Sequence, residues 1–290
     1  MTFFQLPKER SDPKTARYFV LPIPYEGTVS FMTGTAKGPD AILAVSDQIE
    51  HFDEETLCDY TVYGIVTLPP IPPAETPKEQ YRRIYETVKS HDIFRAEKLP
   101  IILGGEHGIT PPVVQAAAEA YPELSVLQFD AHADLRNEYL GSRYSHASAM
   151  RRVLEHTPRL VQVGVRSFSE EEYRECTQHI ERLITPSMLE QDFSYCIDRI
   201  LYGLTENVYV TIDVDALDPS EAPGTGTPEP GGMRYRQLTA ILKRVCETKN
   251  VVGCDIVETA PLGNGNVVTE FLAARLAAKV MAYYTISLTT

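Results

Sequence analysis

The sequence predicts an α/β protein of three layers, with helices covering both faces of a mainly parallel sheet. Two observations predict it. Short β-branched, apolar runs alternate with amphipathic segments of helical period along the chain. Those runs are apolar almost throughout rather than at every second residue, which is how strands buried on both faces read.

Tyr18 to Ile23 reads as the first strand, followed by a helix over Pro39 to Glu50 entered through Gly38-Pro39. Thr61 to Val66 reads as a strand and Lys78 to Glu97 as a helix, joined by the proline-rich Leu68 to Pro73 as a rigid surface connection. Then come strand Pro100 to Leu103, helix Pro112 to Ala120, strand Ser125 to Phe129 and helix Ser145 to His156. Strand Leu160 to Val165, helices Glu170 to Gln178 and Pro186 to Leu201, and strand Val208 to Ile212 follow. Helix Tyr235 to Glu247, strand Val251 to Val257 and helix Val267 to Tyr284 close the chain. No composition shift or repeat marks a boundary, so residues 1–290 read as one domain.

Forty acidic residues against 27 basic ones give a formal net charge of −13. Such a surface argues against nucleic acid and anionic membranes, and it tolerates or attracts a cationic small molecule. The five cysteines are scattered without a C-x-x-C, which suggests neither a disulfide framework nor a zinc ribbon. Cys254, inside an apolar strand, reads as a small core residue. Met1 to Arg10 lacks a signal-peptide core and no apolar run is long enough for a bilayer, so a cytoplasmic protein is expected.

Ligands bind at the carboxyl ends of strands in open parallel sheets, and the polar clusters of this chain fall there. They are Gly104-Gly105-Glu106-His107, Asp130-Ala131-His132-Ala133-Asp134, Asp213-Val214-Asp215 and Glu258. In extended chain, residues i, i+2 and i+4 share a face, so Asp130, His132 and Asp134 can project into one site, and Asp213 with Asp215 from another strand. Such a run is by itself also the pattern of a solvated loop. Here it directly follows the apolar Val126 to Phe129, where unpaired carboxylates are costly, and no local lysine or arginine neutralises all of it. Metal resolves the conflict. Asp130, Asp134, Asp213 and Asp215 carry four negative charges, while His107 and His132 bind as neutral imidazoles, so two divalent ions balance the set. A carboxylate-rich, thiolate-free set suits manganese better than structural zinc. Two such ions ~3.5–4 Å apart can share a water and make hydroxide available near neutral pH.

Other residues have milder readings. On spacing alone, His146 is equally a polar residue at a helix start. His51, His91, His156 and His179 lie in polar segments and read as solvated. Gly224, Gly226, Gly231 and Gly232 lack the context of a phosphate loop and are expected to shape a loop beside the site. Asp53 lies outside the motifs and is expected to tolerate replacement by Ala.

The motifs resemble those of the arginase–agmatinase (ureohydrolase) family from about Val20 to the C-terminus. Besides the clusters above, the resemblance includes Thr211 to Pro219, running on into Ala222 to Thr227 and Gly231-Gly232. It implies an arginase-like three-layer α/β/α domain, assembled into trimers or hexamers, with two Mn2+ ions. It makes His107, Asp130, Asp134 and Asp213 ligands of one ion and Asp130, His132, Asp213 and Asp215 ligands of the other. Asp130 and Asp213 would then bridge. His146, in Tyr144 to Ser148, matches the proton-shuttling histidine, and Glu258, in Val257 to Pro261, the glutamate that pairs with the substrate guanidinium. The implied reaction cleaves a guanidino group to urea and an amine.

Leu140 to Ser148 lacks the Gly-Asn-x-His-Gly run of arginases and looks like the agmatinase branch, as does Ala222 to Thr227. Agmatine is therefore the first expected substrate, giving putrescine in polyamine biosynthesis. Many agmatinases carry a Tyr-Asp pair after the Val-Glu strand, whereas Leu262 to Thr269 here has no such aspartate. N1-aminopropylagmatine, giving spermidine, is the first alternative, since Tyr25 to Phe31 and Tyr144 to Ser148 also resemble bacterial enzymes of that route; guanidinobutyrate or another small guanidine is the next. Six intact ligand positions argue against a single-zinc deacylase. A non-catalytic binding member would have lost a ligand, the histidine or the glutamate.

Overall fold

A computed structural model describes residues 1–175 and 183–289; Cys176, His179 and the expected helix end at Gln178 lie outside the described residues. The strands are β1 (Tyr18–Ile23), β2 (Phe52–Asp53), β3 (Cys58–Asp59), β4 (Ile65–Thr67), β5 (Leu99–Gly104) and β6 (Ser125–Phe129), then β7 (Leu160–Val163), β8 (Leu183–Ile184), β9 (Asn207–Asp213) and β10 (Asn250–Val257). Eight of them form one sheet in the order β4-β1-β5-β10-β9-β6-β7-β8, and every pairing in it is parallel.

Alternation along each strand sends side chains to opposite faces, so apolar runs feed two cores at once. On one face Leu103, Val210 and Cys254 meet Ile42, Ile200, Leu242 and Leu276 from helices Gly38–Ser46, Phe193–Gly203, Tyr235–Thr248 and Val268–Thr289. On the other, Leu21, Ile102 and Val126 meet Ile84, Val114 and Met150 from helices Pro77–His91, Thr110–Ala120 and Ala149–Val153. The layers are those the sequence predicts. Cys254 is a buried core residue, and the described cysteines are free thiols.

Register positions the site. Leu103 pairs with Ile256, Ile256 with Ile212, and Ile212 with Phe129. The central strands β5, β10, β9 and β6 therefore end at one level, and each delivers its polar cluster to the same edge.

Several elements differ from expectation, each for a local reason. Thr61 to Tyr63 form a 3-10 turn, because Asp59 accepts hydrogen bonds from the Thr61 N–H and hydroxyl, and the strand begins only at Ile65. The second long helix ends at His91, where Asp92 turns left-handed. Pro186 to Leu201 is two helices, because Asp192 is extended and its carboxylate caps the second through the Tyr195 N–H. The segment after Ser145 opens as a 3-10 turn, His146–Ser148, before a short helix Ala149–Val153. His156 is not simply solvated, since its Nε2 lies 2.8 Å from the Tyr81 hydroxyl.

The hairpin of β2 and β3 also corrects the reading of Asp53. That carboxylate is buried, 2.7 Å from Lys279 Nζ on the helix Val268–Thr289, and it accepts from the N–H groups of Glu55 and Thr56. Burial alone would raise its pKa, but Lys279 and the N–H donors outweigh burial and hold it low. Its contribution to stability is thus present above the unfolded carboxylate pKa and lost as pH falls through the depressed folded value. Asp53→Ala is expected to cost about 1–3 kcal/mol, less than breaking an isolated buried pair because Glu54 and Glu55 still face Lys279. Urea denaturation at neutral pH checks this, and an unchanged midpoint would restore the expectation that Asp53 tolerates replacement.

Candidate active site

The close approach of Gly105 to the loop after β1 opens the site. A Cβ there would lie 1.9 Å from the Tyr25 carbonyl oxygen, so only glycine fits. The chain then turns into His107, whose buried Nδ1 faces three carboxylates: Asp130 at 2.9 Å, Asp134 at 3.2 Å and Asp213 at 3.5 Å. Among the described residues that nitrogen has no hydrogen-bond partner. The other ring nitrogen, Nε2, stands 2.9 Å from the Thr211 hydroxyl, which donates in turn to the buried Asp255. Asp255 also accepts from Tyr209 and Thr110. With its proton committed to Asp255, Thr211 accepts from His107 Nε2–H, which leaves Nδ1 as a lone pair aimed at the carboxylates.

His132 lies beside this group, with Nδ1 at 3.0 Å from Asp215 and 3.5 Å from Asp130. Asp130 is shared between the two imidazoles, and it is steadied by hydrogen bonds from Gln128 Nε2 and the His132 N–H. Asp213 accepts from the Asp215 N–H, and Asp215 from the Ala131 N–H. Arg166, which sequence reading missed, pins this edge by donating to the carbonyls of Gly164, Asp215 and Glu229. Asp134 and Glu258 both hold positive φ, 53° and 62°.

The electrostatics identify what is missing from the balance. Burial, with the charge of Asp130 next, pushes Asp134 up to about 7. Burial, then Asp215 and Asp130, pushes Asp213 well above the carboxylate range. Burial would lower the pKa of His132, but Asp130 and Asp215 outweigh it and raise it to about 12. Crowded buried carboxylates around a lone imidazole nitrogen form a site short of positive charge. Two overlapping groups among the described residues can hold metal ions: His107, Asp130 and Asp134, and Asp130, His132 and Asp215. Asp213 flanks the first through its 3.5 Å approach to His107. An orphaned imidazole nitrogen and an all-oxygen-and-imidazole donor set fit a divalent cation.

Glu258 and His146 border the same cleft of about 280 Å3, together with Tyr139, Phe168, Glu172 and Thr227. Glu258 Oε1 accepts the His107 N–H at 2.6 Å, and its own N–H donates to the Gly105 carbonyl. His146 Nδ1 lies 3.2 Å from Thr28 Oγ and its Nε2 3.3 Å from Ser30 Oγ. Burial pushes its imidazole down to about 4. Its ring is turned to the cleft rather than to the helix it precedes. All eight residues singled out from the sequence therefore meet at one edge. Thr28, Ser30 and Glu172 escaped that reading, because the loop after β1 and the helix Glu170–Glu175 are linked to the motifs only through the tertiary fold.

The family model described as the arginase family matches residues 16–283. N(1)-aminopropylagmatine ureohydrolase of Thermus thermophilus is 42% identical over 262 residues, covering 90% of this chain and 88% of its own. Agmatinase of Bacillus subtilis is 33% identical over 263 residues, covering 88% and 87%. The solved agmatine ureohydrolase of Thermoplasma volcanium matches with a TM-score of 0.85 at 29% identity, covering 96% of this chain and 93% of that one. Fold, cleft and relatives together define a hydrolase of guanidino C–N bonds that releases urea. The chain belongs to the arginase family, as an agmatinase-like member. Among the described residues no helix is long and apolar enough to cross a membrane.

Proposed function

We propose that this chain hydrolyses agmatine to urea and putrescine, with His107, Asp130, His132, Asp134, Asp213 and Asp215 holding two manganese ions. The observation that carries the reading is the pair of His/Asp groups sharing Asp130, with Glu258 on the wall of the same cleft. Two bound ions would lower the pKa of a water and offset charge on the reacting carbon's oxygen. Asp130 and Asp213 would touch both. Glu258 accepts N–H donors from the planar guanidinium and holds its carbon over the site. His146 takes a proton from the attacking water at Nε2 and returns it to the alkyl nitrogen, so that the C–N bond breaks with a neutral amine departing. Residues 1–290 act as one domain, since the segments before and after the proline-rich connection share one sheet; the trimeric or hexameric assembly is carried over from the family resemblance alone, and the cytoplasmic location from the sequence alone.

A second reading, N1-aminopropylagmatine, is favoured by the 42% identity to an enzyme of that name. Both compounds present a guanidinium and a cationic tail without a carboxylate, which suits a chain of net charge −13. Urea release is expected from one or both at a kcat/KM at least about tenfold above arginine, or ~1.4 kcal/mol in transition-state binding. Assays at one manganese concentration and pH compare them with arginine and guanidinobutyrate. Either of the latter emerging as the best substrate would overturn the reading of the pocket while leaving the metal assignment standing.

A further inference from the structure

The loop after β1 brings Thr28 against His146, 118 residues later in the chain. Thr28 Oγ lies 2.8 Å from Glu106 Oε1, 3.0 Å from the His146 backbone nitrogen and 3.2 Å from His146 Nδ1. A hydroxyl has one proton to give and two lone pairs to offer. The backbone N–H can only donate, so it occupies one lone pair. The remaining proton and lone pair are divided between the Glu106 carboxylate and Nδ1. The Glu106 contact is the shorter, and there the hydroxyl is the donor to Oε1, so it takes the proton. Glu106 cannot turn away, because it is fully buried and its Oε2 accepts the N–H groups of Gly27 and Thr28. Nδ1 must then carry a proton and donate it to Thr28.

We propose that Thr28, anchored by Glu106, is the positioning residue of His146, fixing the tautomer with Nδ1 protonated and the Nε2 lone pair on the cleft. Ser30 Oγ, which lines the cleft, donates to that lone pair. When Nε2 gains a proton, the chain from Nδ1–H through the Thr28 hydroxyl to the Glu106 carboxylate stabilises the imidazolium, as a carboxylate behind a catalytic histidine does. The inference rests on His146 carrying the proton to the leaving amine.

The test measures kcat, KM and bound manganese for urea release by Thr28→Val, Thr28→Ser, His146→Asn and the Thr28→Val/His146→Asn double variant. Thr28→Val is expected to lose about 10–100-fold in kcat with KM within about twofold and metal retained. Thr28→Ser keeps near wild-type kcat, and Thr28→Val adds no further loss once His146 is Asn. Wild-type kcat in Thr28→Val, or its full loss repeated in the double variant, would overturn the proposal. His146→Asn at the wild-type rate would instead overturn the proton-carrier reading beneath it. Should Thr28→Val not fold, Glu106→Gln is the second probe. The amide oxygen stays with the N–H groups of Gly27 and Thr28, its NH2 faces Thr28 Oγ, and the hydroxyl proton turns to Nδ1. A comparable fall in kcat is expected, and an unchanged kcat there overturns the proposal equally.

Discussion

Asp213→Ala is expected to abolish urea release and metal retention together, and Asp130→Ala likewise. Each carboxylate would contact both ions, so its loss removes one charge and one donor from each of two centres at once. Asp213 also accepts the Asp215 N–H at 2.9 Å, and Asp130 the His132 N–H at 2.6 Å, so each loss loosens a second donor. Rates are expected at background, a loss of several orders of magnitude. The exposed Glu190 makes a fair control, since its replacement by Ala leaves the site and core untouched. Metal analysis after dialysis checks the assignment: two ions retained by the Asp213→Ala protein would show that Asp213 does not bridge.

Glu258→Gln is expected to reduce kcat/KM by about 10²–10³-fold for agmatine and for its aminopropyl derivative alike, or ~3–4 kcal/mol. The size follows from geometry. The His107 N–H, 2.6 Å from Glu258 Oε1, demands an acceptor, so the amide oxygen turns to it. The amide NH2 then faces the cleft, where it meets guanidinium N–H groups donor to donor. The variant therefore replaces an attraction with a repulsion rather than merely weakening it. Urea assays on both substrates check this, and a loss confined to one would mean that Glu258 reads the tail rather than the shared guanidinium.

The layers and the site were legible for a common reason. Apolar strand runs and the Asp130-Ala131-His132-Ala133-Asp134 cluster are local patterns, and the sheet preserves them by ending four central strands at one level. Elements of two residues were not legible. β8 is only Leu183–Ile184, and β2 and β3 are equally short, so neither alternation nor length distinguishes them from loop. Asp53 read as replaceable because its partner, Lys279, arrives from the last helix. The break at Asp192 was legible in principle, since an aspartate three residues before a capped N–H is a helix-start signal. The surroundings of His146 were not, because Thr28 and Ser30 reach it only through the fold.

The strand order carries a cost in time. β5 and β6 follow each other along the chain, yet β10 and β9 lie between them. A growing or refolding chain must therefore hold that gap open, with apolar edges unpaired, until its last third arrives to fill it. Such long-range closure slows folding and exposes the half-built sheet to aggregation. His107 and Asp130 stand on the two sides of the gap, and Asp213 and Asp215 on the inserted strand's end, so no N-terminal fragment assembles the cluster. Metal uptake during refolding should accordingly appear late, with the slowest phase, as a signal that the central strands have gone in.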